Sequence, residues 1–456
     1  MKSRDMTQGI IWKQLLIFAM PLALANMLQQ SYNAFDAIVV GRFVSSHALA
    51  AVGASGPLIN MIIMFFQGMS NGSSVLIAQY YGAKDAAEIK NTVHTAMLLA
   101  FLIGIVLSVL GVVVAPILLH AIKTPDEVFV EAVTYLRIYF AGISGVTVYN
   151  MGAAILTATG DSKRPLYFLS LSMVVKVSLT FVFVLVYDMG IKAVAFSTVI
   201  SQIINAVLII ALLSRHPSEI RLNLRQLRIH KDVLKRILGI GLPGGLQGGI
   251  VSFSNVFIQG YINLLGGSAM AGYGVVNRID GIFMMTPHQS LAMASSTFVG
   301  QNLGAGKVKR AKEGTRTAVI SGVVASLIMA VFVLTNSNFL FHIFTTDEAV
   351  IGQGLQFMRV FVPFHFTITF AQIIAASLRG SGDVRVPMLL NVLCMVVFRQ
   401  IYLFLVTQHV ALTITTVAFC MPFGWILFAI SVFIYYKRNG DWSRFEPKEK
   451  VGAELS

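Results

Sequence analysis

The sequence predicts an all-α integral membrane protein: twelve transmembrane helices in two homologous six-helix bundles that repeat in parallel. Three observations carry this reading. Of the 456 residues, 56% are hydrophobic and only 12% charged, with a mean hydropathy of +0.76, far from the balance of a water-soluble domain. Apolar runs of roughly 20 to 30 residues recur along the whole chain, each long enough for a helix to cross a ~30 Å hydrocarbon core, whereas a membrane barrel needs alternating strands of about ten residues. A set of residues in the first half also returns in the second at one constant spacing of 222 positions.

The runs place spans over residues 14–41, 50–80, 93–119, 128–158, 165–187, 191–213, 238–264, 269–300, 315–340, 348–378, 386–407 and 412–436. The opening MKSRDMTQGIIWKQ has the charge of a secretory leader, but the run after it is too long and lacks a small-residue cleavage site, so the first span is expected to stay. Pro21 and Pro243, inside the first span of each half, are expected to bend those helices. The longest polar connection divides the chain into an N-terminal lobe (1–213), a linker (214–236), a C-terminal lobe (237–436) and a tail (437–456). Part of the linker is expected to lie on the membrane surface as a basic helix.

The repeat is explicit. Pro21, Asn33, Gln79, Gly82, Ala83, His120, Thr124, Arg137, Gly160, Asp161 and Pro165 recur as Pro243, Asn255, Gln301, Gly304, Ala305, His342, Thr346, Arg359, Gly382, Asp383 and Pro387. Six crossings per half leave both halves in one orientation, related by an axis along the membrane normal. Such a pair has a natural cavity, and rocking one half against the other gives alternating access.

The formal charge of +14 is a topology signal before it is a partner signal. The connection after the sixth span carries Arg215, Arg221, Arg225, Arg228, Lys231, Lys235 and Arg236, while the connections on the opposite side hold only Arg42, Lys123 and Lys192. This positive-inside pattern predicts a multi-pass protein of the cytoplasmic membrane with both termini cytoplasmic, and makes a nucleic-acid partner the weaker reading. The chain is expected to act as a monomer.

Nothing points to an enzyme, a cofactor or a metal. The GAKD and GAGK stretches follow helices and lack the Gly-x4-Gly-Lys-Ser/Thr pattern, so they read as helix stops; no zinc-binding His pair or nucleophile elbow occurs, and the histidines are dispersed. Cys394 and Cys420 lie in separate spans and suggest neither a disulfide framework nor a metal cluster.

The residue that asks for an explanation is Asp36, in SYNAFDAIVVGR near the outer end of the first span. An intramembrane carboxylate costs several kcal/mol unless protonated, paired or facing water, so it usually marks a pathway. At 1.5 Å per residue Asp36 lies roughly 8 Å from the outer end of its span, and Thr180 and Thr198 lie roughly 10 Å deep in theirs, so the three share a level. A carboxylate so placed can take a proton on one side and release it when its surroundings become wet. A structural aspartate tied to Tyr32, Asn33 or a backbone group is the other reading. Position 258, equivalent to Asp36, is isoleucine, so the coupling chemistry is expected to be asymmetric. The second lobe offers instead Arg278, Asp280 and Arg399; an alternative carboxylate site on Asp280 remains open. Gln29, Asn33, Gln67, Asn71, Asn150, Gln247 and Asn255 are candidates to line a substrate path, though interhelical hydrogen bonding explains each equally well.

Three features together resemble the multidrug and toxic compound extrusion (MATE) family: YNAFDAIVVGR ahead of ALAAVGASGPL; GSSVLIAQYYGAKD with its partner SSTFVGQNLGAGKVKRA; and AAILTATGDSKRP with its partner AASLRGSGDVRVP. The resemblance covers essentially the whole chain. It implies a twelve-helix antiporter that exports organic cations and amphipathic compounds against an inward flow of H⁺ or Na⁺. It also implies a first-lobe cation site of a first-helix aspartate, a fifth-helix Asn-x-x-x-Asp pair and a sixth-helix threonine. Asp36 and Thr198 match, whereas the fifth-helix pair reads Lys176 and Thr180. A hard cation wants several oxygen ligands and no neighbouring ammonium. Proton coupling through Asp36, with Lys176 as its electrostatic partner, is therefore expected over Na⁺ coupling. The rival readings are Na⁺-coupled efflux, a flippase of the same superfamily for lipid-linked saccharides, a major-facilitator transporter and, from another class, a membrane-embedded enzyme or scaffold.

Overall fold

The computed structural model describes residues 4–122 and 124–446, without the side chains of Asn33, Ala34, Ala37 and Ser46. Lys123 and residues 447–456, which entered the topology reading, and the Asn33 side chain lie outside the described residues.

The first half runs α1 (Ile11–Phe43), α2 (Ser46–Ala83), α3 (Ala86–Ala121), α4 (Asp126–Ala141), α5 (Ile143–Ala158), α6 (Lys163–Leu185) and α7 (Ile191–Ser214). The second runs α8 (Lys231–Asn263), α9 (Gly267–Ile279), α10 (Met285–Gly304), α11 (Val308–Thr335), α12 (Ser337–His342), α13 (Glu348–Phe361), α14 (His365–Gly380), α15 (Arg385–Val392), α16 (Arg399–His409), α17 (Ile414–Ala418) and α18 (Cys420–Asn439). The boundaries have local causes. Ser45 caps α2 by accepting from Ala48 N, Asp85 caps α3 through Glu88 N, and Asp347 caps α13 through Ala349 N and Val350 N. GAKD and GAGK end α2 and α10, with Lys84 and Gly306 in the left-handed region. Pro21 and Pro243 sit inside α1 and α8, which continue through them.

Among the described residues ten helical runs are long and apolar enough to cross a membrane, and α4 with α5 makes an eleventh, bent by 47°. Twelve equivalent apolar spans were expected, and the difference lies in the polar eighth. Residues 267–304 are helical throughout, but Arg278, Asp280, His288 and Gln289 interrupt the apolar run, and a five-residue π turn at Asp280–Met284 breaks the α pattern. The expected single helix at 128–158 is broken at Gly142, and the equivalent point in the second half is broken too, by the 3-10 turn Val362–Phe364. A second π turn, Leu393–Phe398, separates α15 from α16.

The linker departs from expectation. It holds a three-residue 3-10 turn at Leu224–Gln226 in place of a basic surface helix. Ile220 and Leu222 are buried in the core beneath α3, His94 Nε2 accepts from Asn223 N at 3.1 Å, and Thr95 Oγ1 accepts from His230 N at 3.1 Å. Two buried aliphatics and a pinned backbone hold this segment against protein.

The halves meet along α2 with α8, and along α2 and α1 with α10. Gly72 of α2 abuts α8 so closely that a Cβ there would stand 2.7 Å from Gly241 N, the backbone approach that small residues allow between membrane helices. At the end of the bundle where the termini lie, Gly82 faces the Gln301 carbonyl and Gly304 the Gln79 carbonyl, with no room for a Cβ at either. Residues Arg4 to Gln8 thread into this closure. Met6 is fully buried with Leu15, Phe18, Leu291 and Phe298, and its backbone N–H donates to Gln301 Oε1 at 3.0 Å. Toward the other end the crowding stops: Gly53 and Gly56 of α2 and Gly249 and Gly260 of α8 have nothing within 4 Å of where a Cβ would be.

Candidate functional site

Asp36 is buried on α1 and faces α6. Lys176, fully buried, places Nζ 2.6 Å from Asp36 Oδ2. The ammonium has two further partners on α1: the Tyr32 carbonyl at 3.4 Å and the face of the Tyr32 ring, 3.2 Å from its centroid. Asp36 Oδ1, although buried, accepts no hydrogen bond. A buried pair of this kind repays its desolvation only when the remaining lone pairs are also satisfied, and here one carboxylate oxygen is left unsatisfied.

Around the pair runs a polar ladder. The Tyr32 hydroxyl is hydrogen-bonded to the Ser201 hydroxyl, Asn205 Nδ2 donates to Ser172 Oγ at 2.9 Å, and the Thr180 and Ser197 hydroxyls are 2.7 Å apart. Thr180 also donates to the Lys176 carbonyl at 2.9 Å. Thr198 stands with its buried hydroxyl beside the Tyr32 hydroxyl. Tyr135 and Tyr139 of α4 are buried within electrostatic reach of Asp36. The structure thus joins Asp36 to Lys176, sets Thr198 against Tyr32, and commits Thr180 to Ser197.

The sequence reading missed Tyr32 as an ammonium partner, along with Ser172, Ser197, Ser201, Asn205, Tyr135 and Tyr139. A signal was present. Ser172, Lys176 and Thr180 recur every fourth residue on α6, and Thr198, Ser201 and Asn205 follow at three and four on α7, so each triplet forms a polar stripe on one helix face.

In the second half the charged candidates separate. Arg278 is exposed and lies over the Phe344 ring at 5.9 Å, away from Asp280. Arg399 is buried and donates to Asn255 Oδ1 at 2.9 Å and Ser254 Oγ at 3.3 Å, while Gln400 Nε2 donates to Ser254 Oγ at 3.1 Å. Asp280 turns toward His365, 3.4 Å away. Of the other polar candidates, Gln29 and Asn71 are exposed and Gln67, Asn150 and Gln247 half-buried. Among the described residues none of these five side chains makes a hydrogen bond, whereas Asn255 is bound to Arg399.

Comparison with known proteins adds the family. The MatE family model matches twice, at residues 21–182 and 243–405, so the two copies begin at the repeat-equivalent Pro21 and Pro243. The probable multidrug resistance protein YoeA of Bacillus subtilis is 29% identical over 94% of this chain and 94% of its own length. The probable multidrug resistance protein YpnP of the same organism is 28% identical over 97% and 98%. Among solved structures, an outward-facing multidrug resistance MATE family transporter superposes with a TM-score of 0.90 at 21% identity, covering 98% of this chain and 99% of that one. A MOP superfamily transporter from Pyrococcus furiosus, whose binding pocket is described as having reverse polarity, gives 0.91 at 21% over the same shares. With its model matched over most of the chain and in both halves, the protein belongs to the MatE family of multidrug extrusion transporters.

Proposed function

We propose that this transporter exports cationic or amphipathic small molecules in exchange for protons by alternating access, with Asp36 as the proton carrier. The observation that carries this is the Asp36 and Lys176 pair, in which one carboxylate oxygen is held by the ammonium and the other is free. A proton arriving at Oδ1 neutralises the carboxylate and releases Nζ. The ammonium is then held by the Tyr32 carbonyl and ring, which already lie 3.4 Å and 3.2 Å away, so the pair can open without leaving a bare buried charge. Opening loosens α1 from α6 at the level of the ladder, and loss of the proton draws them together again. One charge entering down about 100 mV supplies about 2.3 kcal/mol, so the cycle needs no ATP.

Sodium coupling at this site is disfavoured by the same geometry. The ammonium at 2.6 Å occupies the place where a hard cation would gather oxygens, and its charge repels one. The unpaired amides of Gln29, Gln67, Asn71, Asn150 and Gln247 support the substrate-path reading, since a transporter of varied ligands needs polar groups not already committed to each other. The closure near the termini, with space opening at the far end of α2 and α8, supports a state open on the side opposite the termini.

The test is transport of a cationic dye in proteoliposomes under an imposed pH gradient, with and without Na⁺ at fixed pH. Uptake that follows the pH gradient and ignores Na⁺ is expected; uptake that requires Na⁺ at constant pH contradicts the proton assignment.

A further inference from the structure

Each lobe ties its first span to its fifth through a buried cation, but only the first lobe gives that cation a carboxylate. In the first lobe it is Lys176, bound to Asp36 at 2.6 Å. Adding the repeat spacing of 222 to Lys176 gives Phe398, whereas the second lobe carries its cation one position later, at Arg399. The π turn Leu393–Phe398 accounts for the step, because a π turn takes one residue more than an α turn, and α6 is α-helical throughout. Burial agrees with the shifted register. Thr180, Ser197, Ser201, Asn205 and Ile209 lie 223 residues before Leu403, Cys420, Gly424, Phe428 and Val432, and all ten are buried. The contacts agree as well: Lys176 Nζ approaches the Tyr32 carbonyl, and Arg399 the side chain of Ser254, the residue that repeats Tyr32. Arg399 therefore stands where Lys176 stands, and the place of Asp36 is taken by the fully buried Ile258.

The consequence is a buried guanidinium without a counter-charge. Nη2 donates to Asn255 Oδ1 at 2.9 Å and to Ser254 Oγ at 3.3 Å, both neutral oxygens, and Nη1 meets the Met421 thioether at 3.4 Å, a weak acceptor. Among the described residues the buried Nε has no acceptor. The ionisable side chains within electrostatic reach of Arg399 are Tyr273 and Cys420, and neither is a carboxylate. Buried charges are normally paired, so a guanidinium kept opposite an isoleucine calls for an anion from outside the chain. A carboxylate suits it best, since the planar fork can hold both oxygens through two parallel N–H bonds.

The site has a way in. Gly241 and Gly248 of α8 abut α2 at Met69 and Met64, and Asn255 follows on the same helix face another seven residues on, beyond the point where the lobes part. Asn255 is exposed there, and Gln400, bound to Ser254 Oγ at 3.1 Å, is half-buried beside it. The guanidinium is thus reached from the gap between the lobes, past the one amide that it holds at the surface.

We propose that Arg399, with Asn255 and Ser254, is a carboxylate-binding subsite on the second-lobe wall of that gap, and that the substrates include zwitterionic amphiphiles whose carboxylate it takes. This rests on the reading of the chain as an exporter of amphipathic small molecules and narrows the substrate class.

The probes are a zwitterionic rhodamine with a free carboxylate and its methyl ester, a cation of the same ring system. Binding to purified protein in lipid nanodiscs is read by fluorescence polarisation. The unmodified protein is expected to bind the free acid at least about tenfold more tightly than the ester. Arg399→Gln is expected to bring the free acid down to the affinity of the ester. Ile258→Asp reaches the same result by another route: it supplies the counter-charge that Asp36 gives Lys176 and leaves the guanidinium in place. Equal binding of acid and ester by the unmodified protein, or a preference that survives either variant, overturns the proposal. Equal loss of both dyes in both variants would make Arg399 a fastener of α8 alone, and overturns it too. Failure of the exporter reading would show differently, as no saturable binding of either dye to the unmodified protein. No gradient is applied, so failure of the proton assignment at Asp36 leaves these ratios unchanged.

Discussion

Gln79 and Gln301 make the same bond across the molecule in opposite directions. Gln79 Nε2 donates to the Gly380 carbonyl at 2.9 Å and Gln301 Nε2 to the Ala158 carbonyl at 2.8 Å; donors and acceptors are both repeat equivalents. Two reciprocal bonds beside the close contacts of Gly82 and Gly304 tie each half to the other at the end where the termini lie. A rocking carrier must break both to open there.

Replacing Gln79 or Gln301 by Ala therefore biases the equilibrium toward opening at that end. Each bond contributes about 1 kcal/mol, roughly a fivefold change in population, and the double variant exceeds either alone. Spin labels across α2 and α10 at this end, read as distance distributions, check it. Unchanged distributions in the double variant would show that the glutamines only decorate the closure.

Met6 extends the same closure to the chain's own beginning. Its backbone accepts from Asn302 at 3.2 Å and Arg310 at 3.3 Å, its N–H donates to Gln301, and its side chain is sealed in apolar surroundings. Met6→Asp inserts an unpaired carboxylate there and is expected to release the strap at a cost of several kcal/mol to the closed state. Faster cysteine labelling at Phe298→Cys would report it; labelling as slow as in the parent means the strap has no hold on the closure.

Lys176 and Asp36 should be interdependent in stability. Lys176→Met leaves a buried carboxylate without its partner and is expected to destabilise the fold by about 3–5 kcal/mol, lowering the thermal midpoint in detergent. Adding Asp36→Asn should restore most of that stability but not transport, because the polar site is then neutral yet has no proton carrier. If Lys176→Met melts where the native protein does, the carboxylate is already uncharged in the folded state.

The helical membrane architecture and the repeat were legible because lipid leaves the sequence little choice and duplication leaves a constant offset; the count of apolar spans fell short at the polar run 267–304. What escaped is what tertiary packing decides. The break after Ala141 has a glycine beside it and its counterpart at Val362–Phe364 carries Pro363, but membrane helices tolerate both residues without breaking, and the π turns at Asp280 and Leu393 have no composition of their own. The linker looked like a basic surface helix because its charges are conspicuous, whereas Ile220 and Leu222 fix its position. Asp36 was found as an isolated charge in an apolar run; His365 and Asp280, far apart in sequence, become a pair only when the fold brings the start of α14 to within 3.4 Å of the Asp280 carboxylate. Asn33, a path candidate by its polarity, has its side chain outside the described residues.

The central claim is that proton binding at Asp36 drives export, and Asp36→Asn tests it most directly. Proteoliposomes loaded with a cationic dye, in the presence and absence of a pH gradient, separate carriage from coupling. The account predicts that the variant still exchanges dye down its own gradient but no longer accumulates it when a pH gradient is imposed. Accumulation at the native level by Asp36→Asn would contradict it.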